Sequence, residues 1–217
     1  MVALSGRSQT RDNCVTPVMP SQPTLRTERL LLRPFRLEDA SVVQQLAGAR
    51  EVADTTLTIP HPYLDGIAEA WIGTHMGAWE RRERVTFAIT SEADGVVGAI
   101  TLRLRPAHRR AEMGYWVGRP FWNRGYATEA ARAVVTFGFE TLELNRIHAS
   151  HLTRNPASGR VMAKAGLRFE GTFREHVVRW GRAEDLSEYA ILRAETQGNP
   201  KAKVALNDTT LGDGPCV

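Results

Sequence analysis

Gly114-Tyr115-Trp116-Val117-Gly118-Arg119-Pro120-Phe121-Trp122-Asn123-Arg124-Gly125-Tyr126-Ala127-Thr128-Glu129-Ala130 is the stretch whose reading decides the fold. A strand ends in its first half, a short loop turns on Gly125, and a strong helix starts at once. The first N–H groups of a helix have no partner inside it, and the helix dipole favours negative charge there. The junction is therefore ready for a phosphate. Gly125 lets the backbone come close to a ligand, small Ala127 keeps the approach open, and Arg124 adds a charge beside it. A plain strand-to-helix turn accounts for the same residues, and the residues alone leave both readings open. Two other phosphate binders fit less well. A P-loop needs Lys-Ser or Lys-Thr after its glycine, where Tyr126-Ala127 stands, and a dinucleotide fingerprint needs two further glycines.

Outward from this junction the pattern is regular. The helix expected over 128–139 repeats Ala127, Ala130, Ala131, Val134, Val135 and Gly138 on one face. A strand follows at 146–152, then a helix at 156–165 with Asn155 as N-cap, Pro156 at N1 and Gly166 just past its end. Strands at 168–178 and 183–193 join around Trp180-Gly181. Upstream, runs at 85–90, 96–104 and 110–117, separated by turn residues, predict an antiparallel meander. Helices are expected at 37–49 and 65–82, the second weakened by Gly73 and Gly77. A short strand, Leu30-Leu31-Leu32, ends at Pro34. The order predicts a mixed α/β (α+β) domain around one central sheet.

Of 217 residues, 42% are hydrophobic and 24% charged, with a net charge of +4. That composition suits a soluble globular chain. Only Lys164, Lys201 and Lys203 are lysines, so the basic charge is mostly arginine, which favours bidentate pairing with carboxylates and phosphates. The balance is compatible with a phosphorylated cofactor and with nucleic acid. No apolar run is long enough for a membrane helix, and the first residues lack a secretory pattern, so a cytoplasmic protein without membrane partners is expected. Segments 1–24 and 195–217 read as flexible ends around one domain at 25–194. Cys14 and Cys216 fall in those ends, which makes a structural disulfide or a cysteine nucleophile improbable.

The run Trp122-Asn123-Arg124-Gly125-Tyr126-Ala127-Thr128-Glu129-Ala130 resembles the acetyl-CoA pyrophosphate loop of GNAT acetyltransferases. That family's usual form is Gln/Arg-x-x-Gly-x-Gly/Ala. Trp122 stands at the Gln/Arg position, as in the branch that acetylates ribosomal-protein N-termini. Asn155-Pro156-Ala157-Ser158 with Lys164-Ala165-Gly166-Leu167, and the opening Thr27-Glu28-Arg29-Leu30-Leu31-Leu32-Arg33-Pro34, match two further motifs in the same order. The resemblance spans roughly residues 25–194. It implies a GNAT-like fold with a mixed, mostly antiparallel sheet of about seven strands flanked by about four helices. It further implies that acetyl-CoA is the donor. The pyrophosphate would lie against Asn123, Arg124, Gly125, Tyr126, Ala127 and Thr128, and the pantetheine arm against Val117 and Asn155. The arm would lie where the 110–117 strand splays from the 146–152 strand. Asn155 serves equally well as a plain helix cap.

The same resemblance implies Glu112 as general base and Ser158 as the hydroxyl beside the leaving thiolate. Many relatives place a tyrosine where Met162 stands, and methionine cannot donate a proton. A surface glutamate and an ordinary helix serine are the plain alternatives. His148 and His151 lie three apart on a strand and so face opposite ways, which is not a metal pair, and no metal is expected. Arg174, Glu175 and His176 could line the acceptor cleft or a solvated strand edge, and 53–66 should shape the acceptor side. A protein N-terminal amine is the expected acceptor, with a small-molecule amine (polyamine, antibiotic or amino acid) as the alternative. Two rivals remain: a non-catalytic acyl-CoA sensor, and RNA binding through Arg103, Arg105, Arg109 and Arg110. A homodimer is compatible with the sequence.

Overall fold

The computed structural model describes residues 21–196; of the expected flexible ends at 1–24 and 195–217, residues 1–20 and 197–217 lie outside the described residues, while 195 and 196 close a short helix. Eight strands form one sheet: β1 (Leu25–Arg26), β2 (Leu30–Arg33), β3 (Arg84–Ser91), β4 (Gly95–Arg105), β5 (Arg110–Val117), β6 (Arg146–Leu152), β7 (Arg168–Arg179) and β8 (Arg182–Leu192). Their order is β1-β2-β3-β4-β5-β6-β8-β7. Every pairing is antiparallel except β5 with β6. The extra strand over the expected seven is β1, two residues too short to carry an alternating pattern.

The helices are α1 (Ala40–Ala47), α2 (Arg50–Asp54), α3 (Ile67–Gly73), α4 (His75–Glu80), α5 (Tyr126–Glu140), α6 (Pro156–Lys164) and α7 (Arg193–Thr196). Two expected helices are interrupted. The one at 37–49 opens with a 3-10 turn over Leu37–Asp39, where Asp39 accepts from the Arg36 N–H and pairs both oxygens with Arg33 at 2.8 Å. The one at 65–82 starts later and breaks at Thr74. There the Thr74 hydroxyl takes the Trp71 carbonyl at 2.7 Å, and flanking Gly73 does little to hold a continuous helix.

The two faces of the sheet carry different cores. On one, α5 buries Ala130, Ala131, Val134 and Phe137 against Leu32, Phe87, Ile100, Leu102, Met113 and Ile147. Phe87 and Phe137 meet edge to face at 5.7 Å, each worth about 1.5–3 kcal/mol as a buried side chain. On the other face, Ala40, Val43, Ala47, Ala68 and Ile72 of α1 and α3 pack with Trp71 and Trp116.

The single parallel pair positions the site. β5 and β6 are bridged only over Arg110, Ala111 and Glu112, opposite Arg146, Ile147 and His148. Beyond Glu112 the strands part, while β5 stays paired to β4 as far as Val117. Close approach on that side relies on Gly98, where a Cβ would lie 2.3 Å from the Trp116 carbonyl oxygen.

Candidate active site

The loop before α5 takes two left-handed residues, Asn123 (φ 62°) and Gly125 (φ 81°). The first helical bond of α5 runs from the Glu129 N–H to the Gly125 carbonyl at 3.1 Å. The N–H groups of Tyr126, Ala127 and Thr128 therefore have no acceptor within the helix and present an anion site. Arg124 flanks it, stacking on Phe121 and lying 3.3 Å from Asp94, which also accepts from the Tyr126 hydroxyl at 3.1 Å. Trp122 explains its own presence: its indole N–H donates to the Val117 carbonyl at 2.7 Å and ties the loop to the end of β5.

A clamp from the opening segment steadies this loop. Glu129 accepts from the Thr27 hydroxyl (2.6 Å), the Arg29 N–H (2.9 Å) and Arg29 Nε (2.8 Å), while Arg29 Nη1 donates to the Arg124 carbonyl at 3.1 Å. Burial alone raises the Glu129 pKa, but those hydrogen bonds and the Arg29 charge outweigh it and hold the carboxyl below its usual 4.5. A depressed folded pKa contributes stability above the unfolded value and loses it as pH falls through the folded one. Glu129→Gln is thus expected to cost about 1–2 kcal/mol at neutral pH. The gap from the native protein should close below pH 4.5 in urea unfolding at matched pH.

Where β5 and β6 part, a cleft of about 640 Å³ opens through the sheet. Glu112, Tyr115, Ser158 and Met162 line it, and residues 55–60 with Tyr63 and Trp71 close the far side. Backbone polar groups alternate in direction along a strand. Because the Gly118 N–H points to β4, donating to Val97 at 2.9 Å, the polar groups of Val117 and Tyr115 face the splay. The Val117 carbonyl is taken by Trp122, which leaves its N–H for a ligand on that side.

Glu112 and Tyr115 are three apart on β5 and so lie on opposite faces, reaching the same cleft only because β6 has moved away. Glu112 Oε1 lies 3.3 Å from Arg103 Nη1. The Tyr115 hydroxyl lies 2.7 Å from Ser158 Oγ and donates to the Ser158 carbonyl at 3.0 Å. Burial pushes the Tyr115 phenol far above its usual value, only partly opposed by the Ser158 hydrogen bond, so it remains protonated. Asn155 caps α6, its side chain accepting from the Ser158 N–H at 3.4 Å.

The residues singled out from sequence thus fall at two adjoining places. Asn123 to Thr128 lie at the anion site, and Val117, Asn155, Glu112 and Ser158 lie in or beside the cleft. Tyr115 was given no role by sequence reasoning, since nothing in the chain order links it to a serine 43 positions away. Arg84 was passed over in the same way, and His151, weighed only as a metal ligand, lines the cleft as well. Arg174, Glu175 and His176 are exposed on edge strand β7 and do not line it. The arginine cluster disperses: Arg103 joins the cleft, while Arg109 donates twice to the Glu143 carbonyl. His148 Nδ1 lies 2.7 Å from Glu188, and buried His151 bonds the Leu152 carbonyl. No cluster of side chains suited to a metal ion is found among the described residues, nor any helix long and apolar enough to cross a membrane.

A free anion site feeding a split in a mixed sheet is the layout an acyl-CoA thioester needs: phosphates at the helix, arm along the free strand edge, thioester in the gap. A family model described as an acetyltransferase (GNAT) domain matches residues 29–168. This chain belongs to the GNAT acetyltransferase family. The uncharacterized N-acetyltransferase YoaA of Bacillus subtilis (strain 168) is 32% identical over 177 residues, 79% of this chain and 97% of YoaA. The ribosomal-protein-serine acetyltransferase of Escherichia coli (strain K12) is 26% identical over 98 residues, 45% of this chain and 55% of that enzyme. A crystal structure of a GNAT-family acetyltransferase from Bacillus anthracis superposes with a TM-score of 0.71 at 28% identity, covering 79% of this chain and 99% of that one. GNAT membership fixes the chemistry at the level of class: acetyl transfer from acetyl-CoA to an amine nitrogen.

Proposed function

We propose that this GNAT enzyme acetylates the α-amine of protein N-termini, by direct attack within a complex holding donor and acceptor together. The observation that carries this reading is the pairing of Glu112 with Arg103 at the acceptor side of the cleft. An amine must lose its proton to attack a thioester, and a carboxylate is a weak base. A lysine or polyamine nitrogen, near 10.4, asks far more of such a base than an α-amine near 7.7–8.0. An α-amine arrives partly neutral at physiological pH, so Glu112, directly or through a water, suffices. The Escherichia coli relative, named for acetylating a ribosomal protein and not a small molecule, points the same way.

In this mechanism the pyrophosphate is held by the N–H groups of Tyr126, Ala127 and Thr128 beside Arg124 and Asn123, with Gly125 allowing the close approach. Val117 and Asn155 orient the arm so that its thioester lies between Glu112 and Ser158. The amine nitrogen bonds to the acetyl carbon, the carbon–sulfur bond breaks, and Glu112 receives the amine's proton. Ser158 Oγ donates a hydrogen bond to the departing sulfur. Tyr115, kept protonated by burial, turns its hydroxyl hydrogen from the Ser158 carbonyl to Ser158 Oγ as that bond forms.

The test is acetyl transfer, followed by mass spectrometry, to three acceptors: a peptide with a free N-terminus, an N-blocked peptide carrying one lysine, and spermidine. The free N-terminus should be favoured in kcat/KM by at least about tenfold at neutral pH. Preference for the lysine peptide or spermidine would overturn the N-terminal reading and leave family membership untouched.

A further inference from the structure

The acceptor side of the cleft carries a row of charge set by strand register. Arg84 of β3 stands directly opposite Arg103 of β4, and Arg103 directly opposite Glu112 of β5. All three line the cleft, and the other residues lining it are neutral or, in His151, an imidazole. Two guanidinium groups thus face one carboxylate. Arg103 shares Glu112 at 3.3 Å. Arg84 has no carboxylate partner among the described residues, and its Nε is buried without a hydrogen-bond partner. Burial, and then the nearby Arg103 charge, lower the Arg84 pKa against a smaller opposing pull from the Glu83 carboxylate, which Arg81 already pairs.

Arg84 is nonetheless held in place. Its Nη2 donates to the Thr74 hydroxyl at 2.7 Å, and that hydroxyl is itself fixed on the Trp71 carbonyl at the break between α3 and α4. The interruption of the helix therefore positions a guanidinium on the cleft wall. A buried polar group without a partner costs free energy unless a ligand supplies one. The planar fork of an arginine is matched to a carboxylate. The imbalance grows during turnover, because Glu112 loses its charge on taking the amine's proton and both guanidinium groups then stand alone.

We infer that the acceptor carries a carboxylate close to its reacting amine, bound by Arg84 beside Arg103, so that the preferred N-termini have Asp or Glu at their second and third residues. This specificity rests on the N-terminal reading above. A polycationic acceptor meets the opposite: like charge on the wall it must pass.

The experiment compares short peptides of one sequence whose second and third residues are both Glu, both Gln or both Lys. Acetylation of each is measured with native enzyme, Arg84→Gln and Arg84→Lys. A ratio of two kcat/KM values within one preparation does not depend on how much of the protein is folded. Native enzyme should favour the Glu over the Lys peptide by about tenfold or more, with Gln between. In Arg84→Gln the ratio should fall to about threefold or less, and in Arg84→Lys it should be partly kept. If Arg84→Gln yields no active protein, the native ratio carries the test, because a preference made of charge contracts several-fold between about 0.05 and 0.5 M salt. Equal rates for the three peptides, or a ratio indifferent to both Arg84→Gln and salt, overturn the inference alone. Acetylation of none of them, with spermidine or lysine modified instead, overturns the N-terminal reading and the inference together.

Discussion

A Gly125→Glu variant is expected to bind acetyl-CoA at least about 100-fold more weakly than the native protein in calorimetry, a loss of about 2.8 kcal/mol. Two effects combine. Gly125 sits at φ 81°, a left-handed conformation that costs other residues about 1–2 kcal/mol, and its Cβ would lie 3.3 Å from Arg29 Nη2. The larger effect is electrostatic. The new carboxylate stands at the N-cap of α5, beside the unpaired N–H groups of Tyr126, Ala127 and Thr128 proposed to hold the phosphates, where it would both compete for them and repel the ligand. Gly125→Ala isolates the conformational part, and about a tenfold loss is expected there. Thermal unfolding shows whether each variant is folded. Native affinity in a folded Gly125→Glu protein would place the pyrophosphate elsewhere and remove the basis for Arg124, Tyr126, Ala127 and Thr128 as cofactor residues.

What could be read from the chain, and what could not, divides along sequence distance. β5 and β6 were placed at their observed bounds and α6 to within a residue, because alternation, an N-cap asparagine and a terminal glycine are all local signals. The start of α5 was read two residues late, since Tyr126 and Ala127 look like loop until Gly125 is seen to act as the cap. The break at Thr74 was missed because a threonine hydroxyl reaching back to Trp71 competes with the helix through geometry, not composition. The order of the last strands, with β8 lying between β6 and β7, has no local signal either. The run of unpaired N–H groups at the start of α5 was legible because its donors are consecutive. The cleft was not, because it depends on register: Arg84, Arg103 and Glu112 align only once β3, β4 and β5 are paired. In the sequence Arg103 groups with Arg105, Arg109 and Arg110 for the same reason. Alternation along β4 sends it to the cleft, while Arg109, left-handed at φ 46°, turns away to Glu143.

Ser158→Ala is expected to lower kcat by about 100-fold, at the low end for loss of an acid-type group, while the affinity for acetyl-CoA changes by no more than about threefold. The asymmetry follows from place. In the proposed mechanism Ser158 lies in the gap where charge develops on sulfur, whereas the donor's binding energy is assigned to the loop before α5. A serine hydroxyl is a poor acid by itself, and Tyr115 at 2.7 Å makes it a better donor, because a hydroxyl that accepts a hydrogen bond gives its own proton more readily. Tyr115→Phe should therefore cost about tenfold in kcat in the native background and almost nothing once Ser158 is alanine. That non-additivity separates a relay from a packing role. Tyr115 is enclosed by the cleft wall, and if it only supported β5 its loss would lower activity by the same factor in both backgrounds. Equal costs would reduce Tyr115 to a structural residue. A Ser158→Ala enzyme with native kcat would require the departing sulfur to take its proton from solvent.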